Sequence, residues 1–318
     1  MLKILTMGGG KYGFGHLGRC IPIYTSALNL GHEAQLVVAN GANAALELEI
    51  EVIELNWLND VTLLELSPRD TVIVDVLDIS IETLDELDSR VKRLHIIDDI
   101  NLDKYQRYSR IDWSIKSHVL SSGASKLSSP SLVPLKPSFS GLKKRVTHQT
   151  LDVILLTLGG SDVRSLTPKL ILFLRKYFPQ CELMVLVGPG FTCINEIEVV
   201  ADERVTILMT PSEREIASAM ERCDLAIATG GHTMYELASA GLPVVQIQII
   251  DNQEVSKYWA YYGFSYFAGW YCTDDFYSRL KQGIEFFLNP QQRNKSSVLG
   301  QNLIDGFGAK RLVKEVMS

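Results

Sequence analysis

Cysteine is scarce and scattered. The five thiols, Cys20, Cys181, Cys193, Cys223 and Cys272, are odd in number and unclustered. No spacing among them suggests zinc, and such a set reads as reduced thiols of a cytoplasmic protein. No apolar run reaches the ~20 residues of a membrane-spanning helix. The chain carries a net charge of −6 with both signs dispersed, and no basic cluster is interleaved with aromatics. That argues against nucleic acid as a partner. The opening "MLKILTMGGG" enters a strand-like segment at once, without the apolar stretch and small-residue site of a signal peptide. A long exposed apolar stripe is also missing, so a monomer is the expectation.

What is present is alternation. The chain has 318 residues, 46% of them hydrophobic, which is enough for two domains that each bury a core. "LKILTM" predicts a buried strand, and a glycine-rich loop follows. "LGRCIPIYTSALNLG" predicts a helix ending at Gly31, with Pro22 in its first turns where a missing N–H is tolerated. "EAQLVVA", "DTVIVDV" and "RLHIIDDI" predict further strands, with "SIETLDELDSRV" as a helix between the last two. Helices between apolar strands mark a doubly wound parallel sheet.

The rhythm breaks over residues 121–150, where Ser, Pro and Gly dominate, and this stretch reads as a connection between domains. Alternation then restarts. "LDVILLTLGGSD", "CELMVLVGPG", "VTILM", "DLAIATGG" and "LPVVQIQII" predict strands. "LTPKLILFLRKYF", "SEREIASAMERC", "HTMYELASAG", "DDFYSRLKQGIEFFLN" and the final "GAKRLVKEVMS" predict helices. Each half has its own glycine loop after its own first strand, and ligands in such sheets bind beyond the C-terminal strand ends.

Chemistry concentrates at those ends. In "ATGGHTMYELASAGLPVVQIQIIDNQ" a strand ends at Gly230 and Gly231 and a helix begins near His232 or Thr233. The first N–H groups of that helix lack partners within it, which suits a diphosphate. Glu236, one turn in, suits the hydroxyls of a ribose. The plainer alternative is a turn followed by an exposed helix residue. At "LGGSD", Ser161 and Asp162 either cap the next helix or face a ligand. His16, behind Gly13 and Gly15, sits where strand gives way to helix. A nearby helix N-terminus disfavours imidazolium, so His16 reads as a neutral general base, or else as a histidine bonded within a turn. His95, inside an apolar strand, reads as structural. Asp98 and Asp99 are adjacent acids, but strand alternation sends their side chains to opposite faces, which argues against a metal there.

In order along the chain, "GFGHLGRC", "VIVDV", "IIDD", "LGGSD", "ELASAGLPV" and "DNQ" resemble the UDP-sugar hydrolases of pseudaminic acid biosynthesis (the PseG type) and their spore-coat relatives. "GGHTMYELASAGLP…DNQ" is similar to the nucleotide-binding half of the glycosyltransferase MurG. The resemblance implies an α/β fold of GT-B type, with two doubly wound Rossmann-like domains facing across a cleft. Their expected bounds are 1–145 and 146–318, with the last helix packing back on the first domain. It implies His16 as the catalytic residue. It places nucleotide-sugar contacts at Gly13, Gly15, Arg19, Gly159, Gly160, Ser161, Asp162, Gly230, Gly231, His232, Thr233, Glu236, Asn252 and Gln253. Two family positions differ. Leu5 and Met7 stand where an Arg-x-Asp pair is usual, and Val76 and Leu77 follow Asp75 where a tyrosine is usual.

The expected activity is cleavage of a UDP-activated amino or deoxy sugar at its anomeric carbon, without metal or cofactor. Water as acceptor makes a hydrolase, and a sugar or lipid acceptor makes a glycosyltransferase. A nucleotide-sugar binding protein without turnover is the reading from another class.

Overall fold

"LKILTM" carries apolar residues on both faces, and in the computed structural model all six of its residues, Lys3 and Thr6 included, are buried in strand β1 (Leu2–Met7). A central parallel strand covered by helices on both sides demands such a sequence. The structure describes residues 1–8, 15–39, 50–99, 103–120, 126–250 and 257–318. The chain divides into two units, Met1–Pro137 with Phe307–Ser318, and Ser138–Gly306.

In the first unit β1 is followed by α1 (Gly15–Asn29), β2 (Ala34–Ala39), β3 (Ile53–Glu54), β4 (Thr71–Asp75), α2 (Ile81–Arg90), β5 (Arg93–Ile97), β6 (Ser109–Ile111) and α3 (Ile115–Leu120). The strands lie parallel in the order β3-β2-β1-β4-β5-β6. α2 begins where the Ser80 hydroxyl accepts the Thr83 N–H and buries Leu84 and Leu87 against the apolar face of β4 and β5. The C-terminal helix Gly308–Met317 belongs to this unit and packs on α1. Its first residue approaches the chain so closely that a Cβ on Gly308 would stand 2.1 Å from the Val133 carbonyl oxygen.

Pro22 is not in the first turn. The helix begins at Gly15, so Pro22 lies in its interior. Its missing N–H leaves the Gly18 carbonyl without the usual i−4 donor.

The second unit repeats the plan with β7 (Val153–Thr157), α4 (Thr167–Tyr177), β8 (Glu182–Val187), α5 (Ile194–Val200), β9 (Val205–Met209), α6 (Glu213–Arg222), β10 (Leu225–Thr229), α7 (Thr233–Ser239), β11 (Val244–Gln248), α8 (Tyr258–Tyr262), β12 (Ser265–Trp270), α9 (Phe276–Phe286) and α10 (Pro290–Leu303). Its order is β12-β11-β10-β7-β8-β9. Counted from each unit's first strand, both sheets run 3-2-1-4-5-6. In such a sheet the crevice lies between strands 1 and 4, here β1 and β4 in one unit and β7 and β10 in the other.

Residues 126–150 are not a loose connection. Leu132, Val133, Leu135 and Phe139 are buried. Short helical turns form at Pro130–Leu132 and Pro137–Phe139, and Asp112 bridges to Ser128 in parallel. Serine and proline here make turns that dock on each unit. Among the described residues no helix is long and apolar enough to cross a membrane.

Candidate functional site

Four loops of the second unit meet at the C-terminal ends of β10, β7, β8 and β9, and a cavity of about 310 Å³ opens among them. Its two ends differ in chemistry. Thr157, Gly159 and Gly160 from β7 and its loop, with Thr233 and Glu236 from α7, make a polar end at the crevice. Leu186 and Pro189 from β8 and its loop, with Pro211 and Ile216 from the entry to α6, make an apolar end. Gly188 and Thr210 complete the wall.

Close approach of backbone builds this cavity. A Cβ on Gly188 would stand 2.6 Å from the Gly160 carbonyl oxygen, so only glycine fits. Gly190 donates its N–H to that same oxygen at 2.8 Å, which ties the loops after β7 and β8 together. Gly231 turns the chain into α7 at φ 140°, a backbone that side chains disfavour.

Gly159, Gly160, Thr233 and Glu236 therefore come together as lining residues. Gly230, Gly231 and His232 form the turn ahead of them, and the His232 ring lies 5.9 Å from that of Tyr235. The first turn of α7 is more satisfied than its sequence implies. Met234 donates to the Gly231 carbonyl at 3.1 Å and Tyr235 to the His232 carbonyl at 3.0 Å. Asp162 is 1% exposed and accepts backbone N–H groups from Arg164, Leu166 and Thr167 at 3.3, 3.0 and 2.7 Å. Its carboxylate thus caps the entry to α4. Ser161 stands beside it, against Gly190. Gly13, Asn252 and Gln253 lie outside the described residues.

The crevice of the first unit holds a second cluster. His16, in the first turn of α1, places Nδ1 2.9 Å from Asp75 Oδ1 at the end of β4. Arg19, one turn on, grips both oxygens of Asp75, with Nε 2.7 Å from Oδ2 and Nη2 2.6 Å from Oδ1. Its Nη1 reaches Asp99 at 2.7 Å, and its guanidinium lies 5.4 Å from the centre of the Trp113 ring. Cys20 donates its thiol to Asp75 Oδ2 at 3.3 Å. Gly15 opens the helix that carries these groups.

Asp75 is fully buried, which by itself would push its carboxyl up. The Arg19 charge and hydrogen bonds, helped by His16, outweigh burial and bring its pKa to about 2. An ionised carboxylate only accepts, so Nδ1 of His16 is the donor in this contact, and in a neutral ring of that tautomer Nε2 is the acceptor. Arg19 Nη2 lies 3.2 Å from the same Nδ1, a contact between two donors. Burial opposes the Arg19 charge, but Asp75 and Asp99 raise its pKa above the ordinary value. Burial, then the Asp75 charge, pushes the Cys20 thiol well up, so it serves as a donor here. Arg19 is thus engaged with two carboxylates of its own unit.

The remaining candidates divide. Asp98 takes Arg110 at 3.3 Å while Asp99 takes Arg19, so the adjacent acids have separate partners. His95 is buried in β5 and bonds Ser109 at 2.8 Å. Burial, with Arg93 nearby, lowers its pKa to about 4. Leu186, Gly188, Thr210 and Pro211 escape a reading of local motifs, and Asp75, the acid of "VIVDV", is read there as a motif position without a partner. The signals are that acid and the turn pairs "VGPG" and "MTPS" at strand ends. These gain meaning only once the strand order places them beside β1 and β7.

No family model matches the sequence, and no curated protein matches it. Solved structures match along its whole length. The UDP-GlcNAc 2-epimerase from Neisseria meningitidis, bound to UDP-GlcNAc, aligns with TM-score 0.65 and 13% identity over 100% of both chains. MurG from Acinetobacter baumannii aligns with TM-score 0.59 and 14% identity over 99% of both. The glycosyltransferase SnogD from Streptomyces nogalater aligns with TM-score 0.59 and 12% identity over 99% of both. At these identities the likeness is one of fold. The chain is α/β, with two doubly wound units, of the GT-B type.

Proposed function

We propose that this protein is an enzyme that holds a UDP-activated amino or deoxy sugar by its nucleotide in the cavity of the second unit and hydrolyses it at the anomeric carbon. The observation that carries this reading is the two-ended cavity at the β7/β10 crevice. A nucleoside diphosphate has a matching order, with a flat base whose faces suit apolar contact, then a vicinal diol, then an anion. Leu186, Pro189, Pro211 and Ile216 offer the base a slot. The Glu236 carboxylate accepts from the ribose hydroxyls, as acids do in other doubly wound nucleotide sites. Gly159, Gly160 and Thr233 leave room for phosphate oxygens near the start of α7. A solved structure of the same fold is bound to UDP-GlcNAc.

In the first unit, His16 Nε2 takes the proton of the attacking water. The water oxygen bonds to the anomeric carbon as the carbon–oxygen bond to UDP breaks and its electron pair leaves with UDP. Asp75 holds the ring and its tautomer, and Arg19 holds Asp75. UDP is a stable anion and leaves without a proton, so donors around its phosphates matter more than an acid.

A second reading, transfer to a sugar or lipid hydroxyl, draws support from glycosyltransferases among the fold matches, SnogD and the spinosyn rhamnosyltransferase SpnG. One experiment separates the options. Purified protein is incubated with a panel of UDP-sugars, including a diacetamido-trideoxy sugar, without acceptor. The hydrolase reading expects UDP release from one donor, reduced about a hundredfold or more in His16→Asn. Release that needs an added acceptor selects the transferase. A sugar changed at C2 while still bound to UDP selects the chemistry named for the epimerase. No turnover of any donor, alone or with acceptors, sinks the enzyme reading.

A further inference from the structure

Thr210 is β-branched and precedes proline, yet its backbone stands at φ 42°. A β-branched residue is a rare occupant of that region, and a following proline pushes a residue towards extended backbone instead. Ser165, at φ 46°, is the other non-glycine residue with positive φ among those described, and it is not on the cavity wall. Thr210 is.

Neighbours hold the strained turn from both sides. The Thr210 N–H donates to the Val187 carbonyl at 2.8 Å, which fastens the end of β9 to the end of β8 beside Gly188. On the other side, Ser212 and Glu215 form a reciprocal capping box that fixes the start of α6. Pro211 lies between these two anchors, so the backbone angle at 210 sets how far Pro211 reaches over the slot. Glycine would relieve the turn without loss of any of these bonds. Strain kept at a ligand wall is characteristic of sites where it serves recognition.

The span of the cavity fits such a role. From β10 to β9 is three strand spacings, about 14 Å. In the nucleotide reading, a ribose held at Glu236 would lay its base towards Leu186 and Pro189 of β8 and its loop, with Thr210 and Pro211 of the next strand's end beyond them. The volume, about 310 Å³, is at the small end of ligand pockets.

Resting on the nucleotide reading above, we propose that Thr210 determines base specificity. Its left-handed backbone fixes Thr210–Pro211 as the end wall of the slot, at a depth that takes a one-ring base and turns away a two-ring base.

The test titrates UDP and ADP calorimetrically into the full-length protein and into Thr210→Gly and Thr210→Ala, with the melting temperature of each. Thr210→Gly is expected to melt about 2 °C higher, because strain is removed. It is expected to bind UDP about tenfold more weakly and to lose about tenfold of its preference for UDP over ADP, as the wall gains freedom. Thr210→Ala keeps a restricted backbone and is expected to keep both affinity and preference. Wild-type affinity and preference in Thr210→Gly would overturn the inference, as would an equal loss in Thr210→Ala, which moves the effect to the side chain. Wild-type protein that binds neither nucleotide removes the nucleotide reading and this inference with it. Wild-type protein that prefers UDP, alongside a Thr210→Gly protein that keeps that preference undiminished, removes this inference alone.

Discussion

Asp75 joins His16, Arg19 and Cys20 through one buried carboxylate. Its pKa of about 2 is below that of a solvated aspartate. The ionised form is therefore favoured by folding. The stability this confers is complete above pH ~4, the unfolded value, and is lost as pH falls towards ~2, the folded value. Asp75→Asn is expected to be less stable than wild type at pH 7 by about 3–5 kcal/mol, because Arg19 and His16 lose the buried negative charge that holds them and Arg19 is left with the Asp99 carboxylate. That gap should shrink as pH falls through ~2, where the wild-type carboxyl also loses its charge. Denaturant unfolding of both proteins across pH checks this, and a gap that does not change with pH contradicts it. Of this cluster the sequence showed His16, by its place behind two glycines, and Arg19. It did not show that Asp75, 59 positions away, is the partner of both, because an acid ending an apolar strand looks the same whether it meets water or an arginine.

At the scale of elements, legibility followed the apolar pattern. Fully buried strands such as β1, β4 and β10 read plainly. α10 did not. Its buried face carries Arg293, Ser296, Ser297 and Gln301, so "PQQRNKSSVLGQNL" has no apolar stripe to read. Backbone carbonyls take the place of apolar contacts there. Arg293 donates to those of Phe287, Leu288, His148, Gln149 and Thr150. Gln301 donates to those of Lys143 and Ser239. β12 was hidden for another reason. Its register against β11 shifts at Gln246/Ile247, and Gly269 adopts φ 95°, so the period-2 signal is broken. The loops that bound the cavity make a sharper prediction. Gly188→Ala puts a carbon against Gly160 and is expected to destabilise the protein by about 1–3 kcal/mol. It should also weaken UDP binding, since the loops after β7 and β8 must part. A Gly188→Ala protein with unchanged melting temperature and unchanged UDP affinity would show that the two loops do not need to touch.

At the scale of the whole molecule, the same strand order occurs twice, and each crevice carries a different chemistry. The first has a histidine held by a carboxylate, and the second has a slot with an acid at one end. The repeated strand–loop–helix rhythm was enough to read two doubly wound α/β units from sequence, while the GT-B type was read from the family resemblance. The loop residues that give the second crevice its apolar end were not legible, because they come from strands whose neighbours are set by topology. The proposed function requires that a UDP moiety occupy the second crevice with its ribose on Glu236. Calorimetric titration of UDP into wild type and Glu236→Ala tests it most directly. Loss of hydrogen bonds to a charged group predicts binding about tenfold to a hundredfold weaker in the variant. Equal affinity in the two proteins, or no binding of UDP to either, would contradict it.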